Sequence, residues 1–143
     1  MNLEQFEIYI RLFHHIAALW MCSLIWVIQL VHYPTFHFVD KEIFAKFEKF
    51  HTANITPITA PFMLVELTTG AALVFLNKDS ITYWTLLMLT LGNFAVTAFL
   101  SVPCHSKLSS GYSKSIVDKL VKTNWFRTAF WTLRAIIVAQ LLL

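Results

Sequence analysis

The stretch IYIRLFHHIAALWMCSLIWVIQLV, residues 8–31, decides the fold. It exceeds the ~20 apolar residues that carry an α-helix across a bilayer, yet it contains Arg11, His14, His15 and Gln29. A charged or imidazole side chain in hydrocarbon is costly unless it faces other helices and finds a partner there. Each of these residues is therefore a candidate member of an internal site.

Three more apolar segments follow, at residues 55–76, 81–102 and 125–143. Overall 57% of the chain is hydrophobic and 13% charged, against about 25% charged residues in soluble domains. Irregular backbone is not tolerated against lipid, and no alternating strand pattern occurs, so the segments must be helices. The expected architecture is all-α: one integral membrane four-helix bundle spanning residues 1–143, with no separate soluble module. The first segment is too long, and too rich in Arg and His, for a cleaved signal peptide.

The net charge is +3, and its distribution matters more than its size. Lys41, Lys46 and Lys49 follow the first segment; Lys107, Lys114, Lys119, Lys122 and Arg127 follow the third. The other side carries only Arg11 and Lys78. The positive-inside rule then places both polar connections in the cytoplasm and both termini outside. Such juxtamembrane lysines set topology, so nucleic acid is not an expected partner. The expected partners are the lipid bilayer, a hydrophobic small molecule and further copies of the chain. A bacterial inner membrane is the expected location.

Residues 77–80 form a tight turn, because Asn and Asp tolerate turn conformations. Asp40 is placed to cap a helix from Lys41, and Ser113 to cap the lead-in to the last helix. Pro57 and Pro61 each remove a helix hydrogen bond, so the second helix should be kinked. Cys22 and Cys104 lie at different depths and should not pair.

At 100° per residue the polar positions of each segment collapse onto one side. The first holds Arg11, His14, His15, Cys22, Gln29 and His32; the third holds Thr90, Asn93, Thr97, Ser101 and Cys104. The last holds Asn124, Arg127, Trp131 and Arg134, and the second adds Glu48, His51, Thr59 and Glu66. Four such stripes are satisfied only by turning onto one another. By depth, His32, Glu48, His51, Cys104, His105, Asp118, Asn124 and Arg127 gather at the lysine-rich end, with Glu66 and Arg134 near the midplane and Arg11, His14 and His15 toward the outer end.

Glu48-x-x-His51 puts a carboxylate and an imidazole on one helix face, a spacing that di-iron bundles use twice. It occurs once here, and Gln29-x-x-His32 is a partial echo. His32, His51 and His105, with Glu48 as a fourth, are either metal ligands from three helices or interfacial anchors beside Tyr33, Tyr112 and Trp125. Iron or haem is the expected cofactor, with copper as an alternative. His14 and His15 are either axial haem ligands or histidines bonded to Glu66 or water. Glu66 and Arg134 form either a structural ion pair or part of a cofactor or quinone site.

Val102-Pro103-Cys104-His105, followed by Thr123-Asn124-Trp125-Phe126-Arg127-Thr128 opening the last helix, resembles the small four-helix membrane proteins of the anthrone-oxygenase-like family. Fungal members of that family are implicated in oxygenating aromatic polyketides. The resemblance implies that His105, Asn124 and Arg127 are the functional positions. His14, Tyr33-Pro34, Pro61-Phe62-Met63 and Gly70 are similar to the haem-binding four-helix protoporphyrinogen oxidase family, although Thr35 stands where that family has Arg. The leading expectation is a membrane oxidoreductase or oxygenase acting on a flat hydrophobic substrate that Asn124 and Arg127 orient. The alternatives are a small ligand- or ion-conducting bundle lined by Glu66, Arg134 and the Thr/Asn stripe, or an accessory subunit of a membrane complex.

Overall fold

A computed structural model describes residues 2–142 as four helical runs. These are α1 (Leu3–Phe38), α2 (Phe44–Leu76), α3 (Ile81–Leu108) and α4 (Lys114–Gln140). The first three are long and apolar enough to cross a membrane. The fourth falls short of that hydropathy because Asn124, Arg127 and Arg134 lie on its buried side. Its outer side, with Trp125, Phe126, Leu133 and Ile136 exposed, is as apolar as the others. Exposed Phe, Trp, Leu and Ile on all four runs form the surface a hydrocarbon environment requires.

Each run packs on two neighbours: α1 on α2 and α4, and α3 on α2 and α4. Two close approaches set the register. A Cβ added at Gly70 on α2 would lie 3.4 Å from the His14 ring and 3.6 Å from Leu87 on α3. One added at Gly92 would lie 2.9 Å from the Phe130 ring of α4.

The local signals act as the residues suggest, with two shifts. Asn2 and Gln5 form a reciprocal capping box at the start of α1. Asp40 caps a turn rather than a helix: its Oδ1 accepts from the Glu42 N–H at 2.9 Å, and α2 begins at Phe44. Ser113 occupies the N-cap of α4, but its hydroxyl faces the Ser115 hydroxyl at 3.2 Å instead of closing the cap. Lys114 bonds Asp118 at 2.7 Å and holds that carboxyl below its ordinary range. α2 runs through Pro57 and Pro61 as one 33-residue helix. Cys22 and Cys104 are both free thiols.

Gly92→Ala gains up to about 1 kcal/mol of helix propensity but loses about 1–3 kcal/mol by overpacking Phe130. Thermal unfolding in detergent should therefore show a lower midpoint for Gly92→Ala. In a Phe130→Leu background the same change should be neutral or stabilising.

Candidate functional site at the lysine-rich end

Pro34 and Pro103 shape this end. A proline lacks the N–H that would close an α-helical turn, and its ring collides with the carbonyl four residues back. In both places the chain widens into a π-helical turn just before the proline, at Ile28–His32 and Thr97–Ser101. There the Tyr33 N–H reaches back to Ile28 O, and the Val102 N–H to Thr97 O. Turns of this kind recur at functional sites because the extra residue redirects side chains. Here they hold Gln29 and His32 on α1, and Thr97 and Ser101 on α3.

The redirected groups meet Glu48 and His51 from the first turns of α2. The Glu48 carboxylate, fully buried, lies 2.6 Å from His105 Nδ1. His105 Nε2 lies 3.1 Å from the Tyr33 hydroxyl. With Nδ1 protonated toward the carboxylate, Nε2 carries the lone pair and the Tyr33 O–H donates to it. Beside this chain His32 Nε2 and His51 Nδ1 are 2.7 Å apart, and the His51 and His105 rings are separated by 5.2 Å between centroids. His51 Nε2 and Glu48 Oε2 are buried with no hydrogen-bond partner.

α4 enters through a second network. Gln29 Oε1 accepts from Asn124 Nδ2 at 2.9 Å and from the Thr128 hydroxyl at 3.3 Å, while Gln29 Nε2 donates to Val121 O at 3.2 Å. Asn124 Oδ1 in turn accepts from Arg127 Nη1 at 3.2 Å. The guanidinium stacks over Trp131, 5.0 Å from the ring centroid. Among the described residues no carboxylate forms a salt bridge with Arg127, and its Nε has no partner. Arg127, His105 and Tyr33 line one cavity of about 360 Å³ together with hydroxyls from Thr52, Thr56, Thr59, Thr97 and Ser101. A second, apolar cavity of about 290 Å³ reaches His32 and His51 from between Leu24, Phe47, Phe50 and Ile58.

The remaining candidates form a separate cluster deeper in the protein. Glu66 and Arg134 are ion-paired and almost fully buried, and Trp131 Nε1 donates to Glu66 Oε2 at 3.0 Å. His14 Nδ1 lies 2.9 Å from Thr69 Oγ1 and its Nε2 lies 3.4 Å from Arg134 Nη2. The Thr69 hydroxyl donates to Val65 O, so Nδ1 is the donor toward Thr69 and Nε2 the acceptor from Arg134. Both nitrogens of His14 are thus engaged and its ring packs on Gly70. An axial haem ligand needs a free ring nitrogen beside open space, so His14 does not fit haem. His15, 6.4 Å from His14 between ring centroids, keeps a buried Nε2 without a partner.

The structure therefore brings His32, Glu48, His51, His105, Asn124 and Arg127 to one end, and His14, Glu66 and Arg134 to another place. Among the described residues no three His, Cys, Asp or Glu side chains form a metal-holding group. Two nitrogens bound to one zinc-sized ion stand about 3.3 Å apart, which follows from ~2.0 Å bonds in tetrahedral geometry. His32 and His51, at 2.7 Å, are instead hydrogen-bonded. The donor chemistry, imidazoles with one carboxylate, still suits iron, copper or zinc.

Sequence reasoning gave no site role to Tyr33 or Trp131. Tyr33 lies at the edge of the polar arc of α1 at 100° per residue, in line with His15, so the period carries a signal for it even though its ring is largely apolar. Trp131 is on the α4 stripe, but its N–H partner lies on α2. No protein-family model, curated protein or solved structure matches this chain.

Removing one partner of the buried pair strands the other charge. Glu66→Ala should cost about 3–5 kcal/mol, while Glu66→Leu with Arg134→Leu should recover most of it. Chemical or thermal unfolding of the three proteins in one detergent reads the difference.

Proposed function

We propose that this chain is a four-helix membrane protein that binds a flat hydrophobic molecule with an oxygen function and removes a proton from it. In this reading all four helices cross the bilayer of a bacterial inner membrane, with both termini outside and the lysine-rich connections in the cytoplasm. The clustering of lysines at one end supports that orientation. The observation that carries the chemistry is the shared cavity: a buried guanidinium without a carboxylate partner faces the same space as the Glu48–His105–Tyr33 chain.

In the proposed step the ligand oxygen lies against Arg127, which Asn124 and the Trp131 ring hold in place. The ligand gives its proton to the Tyr33 oxygen as Tyr33 passes its own to His105 Nε2. The negative charge moves to the ligand oxygen beside the guanidinium. Glu48 stabilises the imidazolium, as a buried carboxylate does behind a catalytic histidine. The apolar wall of Ile28, Ile55 and Val102 accommodates the ring. A small carbonyl or phenolic aromatic has the right size and polarity, in keeping with the aromatic substrates that the anthrone-oxygenase-like resemblance implies.

The test uses 2-naphthol with protein in lipid nanodiscs near neutral pH. Saturable binding should bring up naphtholate absorption in the wild type and not in Tyr33→Phe. Arg127→Gln should weaken binding about 10–100-fold, the equivalent of losing one charged hydrogen bond. No saturable binding, or equal naphtholate formation in Tyr33→Phe, contradicts the reading.

A metal-dependent oxidoreductase is the second reading, favoured by the unpartnered His51 Nε2 and Glu48 Oε2 beside one another's networks. Iron or copper held by His32, His51, His105 and Glu48 would supply redox chemistry at the apolar cavity. Elemental analysis decides it: this reading expects about one equivalent of metal in the wild type, lost in His51→Ala. Metal-free protein that still binds naphthol removes it.

A further inference from the structure

A line of buried polar atoms without partners leads from the Arg127 cavity to the midplane ion pair. Ser101 Oγ and Thr97 Oγ1 line the cavity itself, and neither has a hydrogen-bond partner. One turn further along α3, about 6 Å by helix rise, Asn93 is 1% exposed and neither atom of its amide is satisfied. Arg127 Nε and Arg134 Nε on α4 are also unpartnered. The Gly70–Leu87 and Gly92–Phe130 approaches place Asn93 at about the depth of Glu66 and Trp131. Each orphaned group costs about 1–3 kcal/mol in an apolar interior, so leaving all of them dry would consume a typical domain's entire stability. Buried polar groups left over by the protein are ordinarily satisfied by internal water.

We propose that a file of water along Ser101, Thr97 and Asn93 carries protons between the Arg127 cavity and Glu66. Glu66 is then a proton-exchanging carboxylate served from the lysine-rich end alone. Toward the opposite end the interior is closed by Ile10, Leu73, Leu86 and Val138. A proton reaching the inner end of the file as hydronium passes to a Glu66 oxygen, leaving a neutral water and a carboxylic acid. The Trp131 N–H then donates to a weaker acceptor. Among the described residues the charged and titratable groups toward Glu66 are Arg134 on α4 and, beyond it, His14 and then His15 on α1; the buried polar residues of α3 at this depth are the neutral Thr90 and Asn93. Arg134 keeps its charge throughout, with His14 Nε2 accepting from it. This inference does not depend on the ligand proposed for the cavity.

Synchrotron hydroxyl-radical footprinting in ¹⁸O-labelled water tests the file directly. Trp131 is fully buried, so label reaches it only from neighbouring internal water. The wild type in nanodiscs should incorporate ¹⁸O at Trp131, and Asn93→Leu should reduce the label at least fivefold with Trp84 and Trp125 unchanged. Ser101→Val is the second variant, with the same expectation. An unlabelled Trp131 overturns the proposal, and so does label that neither variant reduces. A pH jump on protein retaining Trp131 alone reads proton arrival: the emission change should vanish in Glu66→Gln and slow at least tenfold in Asn93→Leu. A change that persists in Glu66→Gln, or keeps its rate in Asn93→Leu, assigns proton exchange elsewhere.

Discussion

The amide hydrogens missing from Pro34 and Pro103 are the constraint on which this site depends. Each proline removes one backbone hydrogen bond from its helix; α2 absorbs that loss at Pro57 and Pro61 without widening, while α1 and α3 do not. The solution in both cases is a five-residue π-helical turn, ending one residue before the residue that precedes proline. The extra residue rotates everything after it. On α1 His32 then meets His51 of α2 and Tyr33 meets His105 of α3, and on α3 the turn leaves Ser101 on the cavity and is followed by His105, which reaches Glu48.

The second constraint is the cost of burying polar groups. In an apolar surrounding each must be paired, and the pairs found here tie helices that are distant in sequence. Gln29 joins α1 to three positions of α4. Trp131 touches Glu66 through its N–H and Arg127 through its ring face, so it bridges the Glu66–Arg134 pair and the cavity. The groups left unpaired are therefore informative. They include Asn93, Glu48 and His51, and Thr97, Ser101 and Arg127, the last three of which line the cavity of about 360 Å³ where a ligand or water has room to complete them.

The helical class, the apolar segments and the inward direction of most stripe residues were legible in the sequence, because hydropathy and a 100° period report them directly; Arg11 is the exception, exposed and paired with Glu7. The gathering of His32, Glu48, His51, His105, Asn124 and Arg127 at one end was also legible, since antiparallel helices of similar length fix depth. Pairing within that end was not. His32 and Tyr33 are the two edges of one 100° arc, and a period cannot say that the first reaches His51 and the second His105. The engagement of both His14 nitrogens depends on a threonine on α2 and an arginine on α4, which no local pattern links. The last helix read as a span like the others, yet its inward Arg127 and Arg134 keep its mean hydropathy low.

The central claim is that Glu48 orders His105 and His105 orders Tyr33. Proton-detected NMR on ¹⁵N-histidine-labelled protein in nanodiscs tests it most directly. The account predicts one strongly downfield imidazole proton on His105 Nδ1, protected from exchange with water, lost in Glu48→Gln and retained in His32→Ala. Its Nε2 should shift when Tyr33 becomes Phe. A His105 ring that exchanges freely, with no proton shifted downfield and no response to Glu48→Gln, would contradict the account.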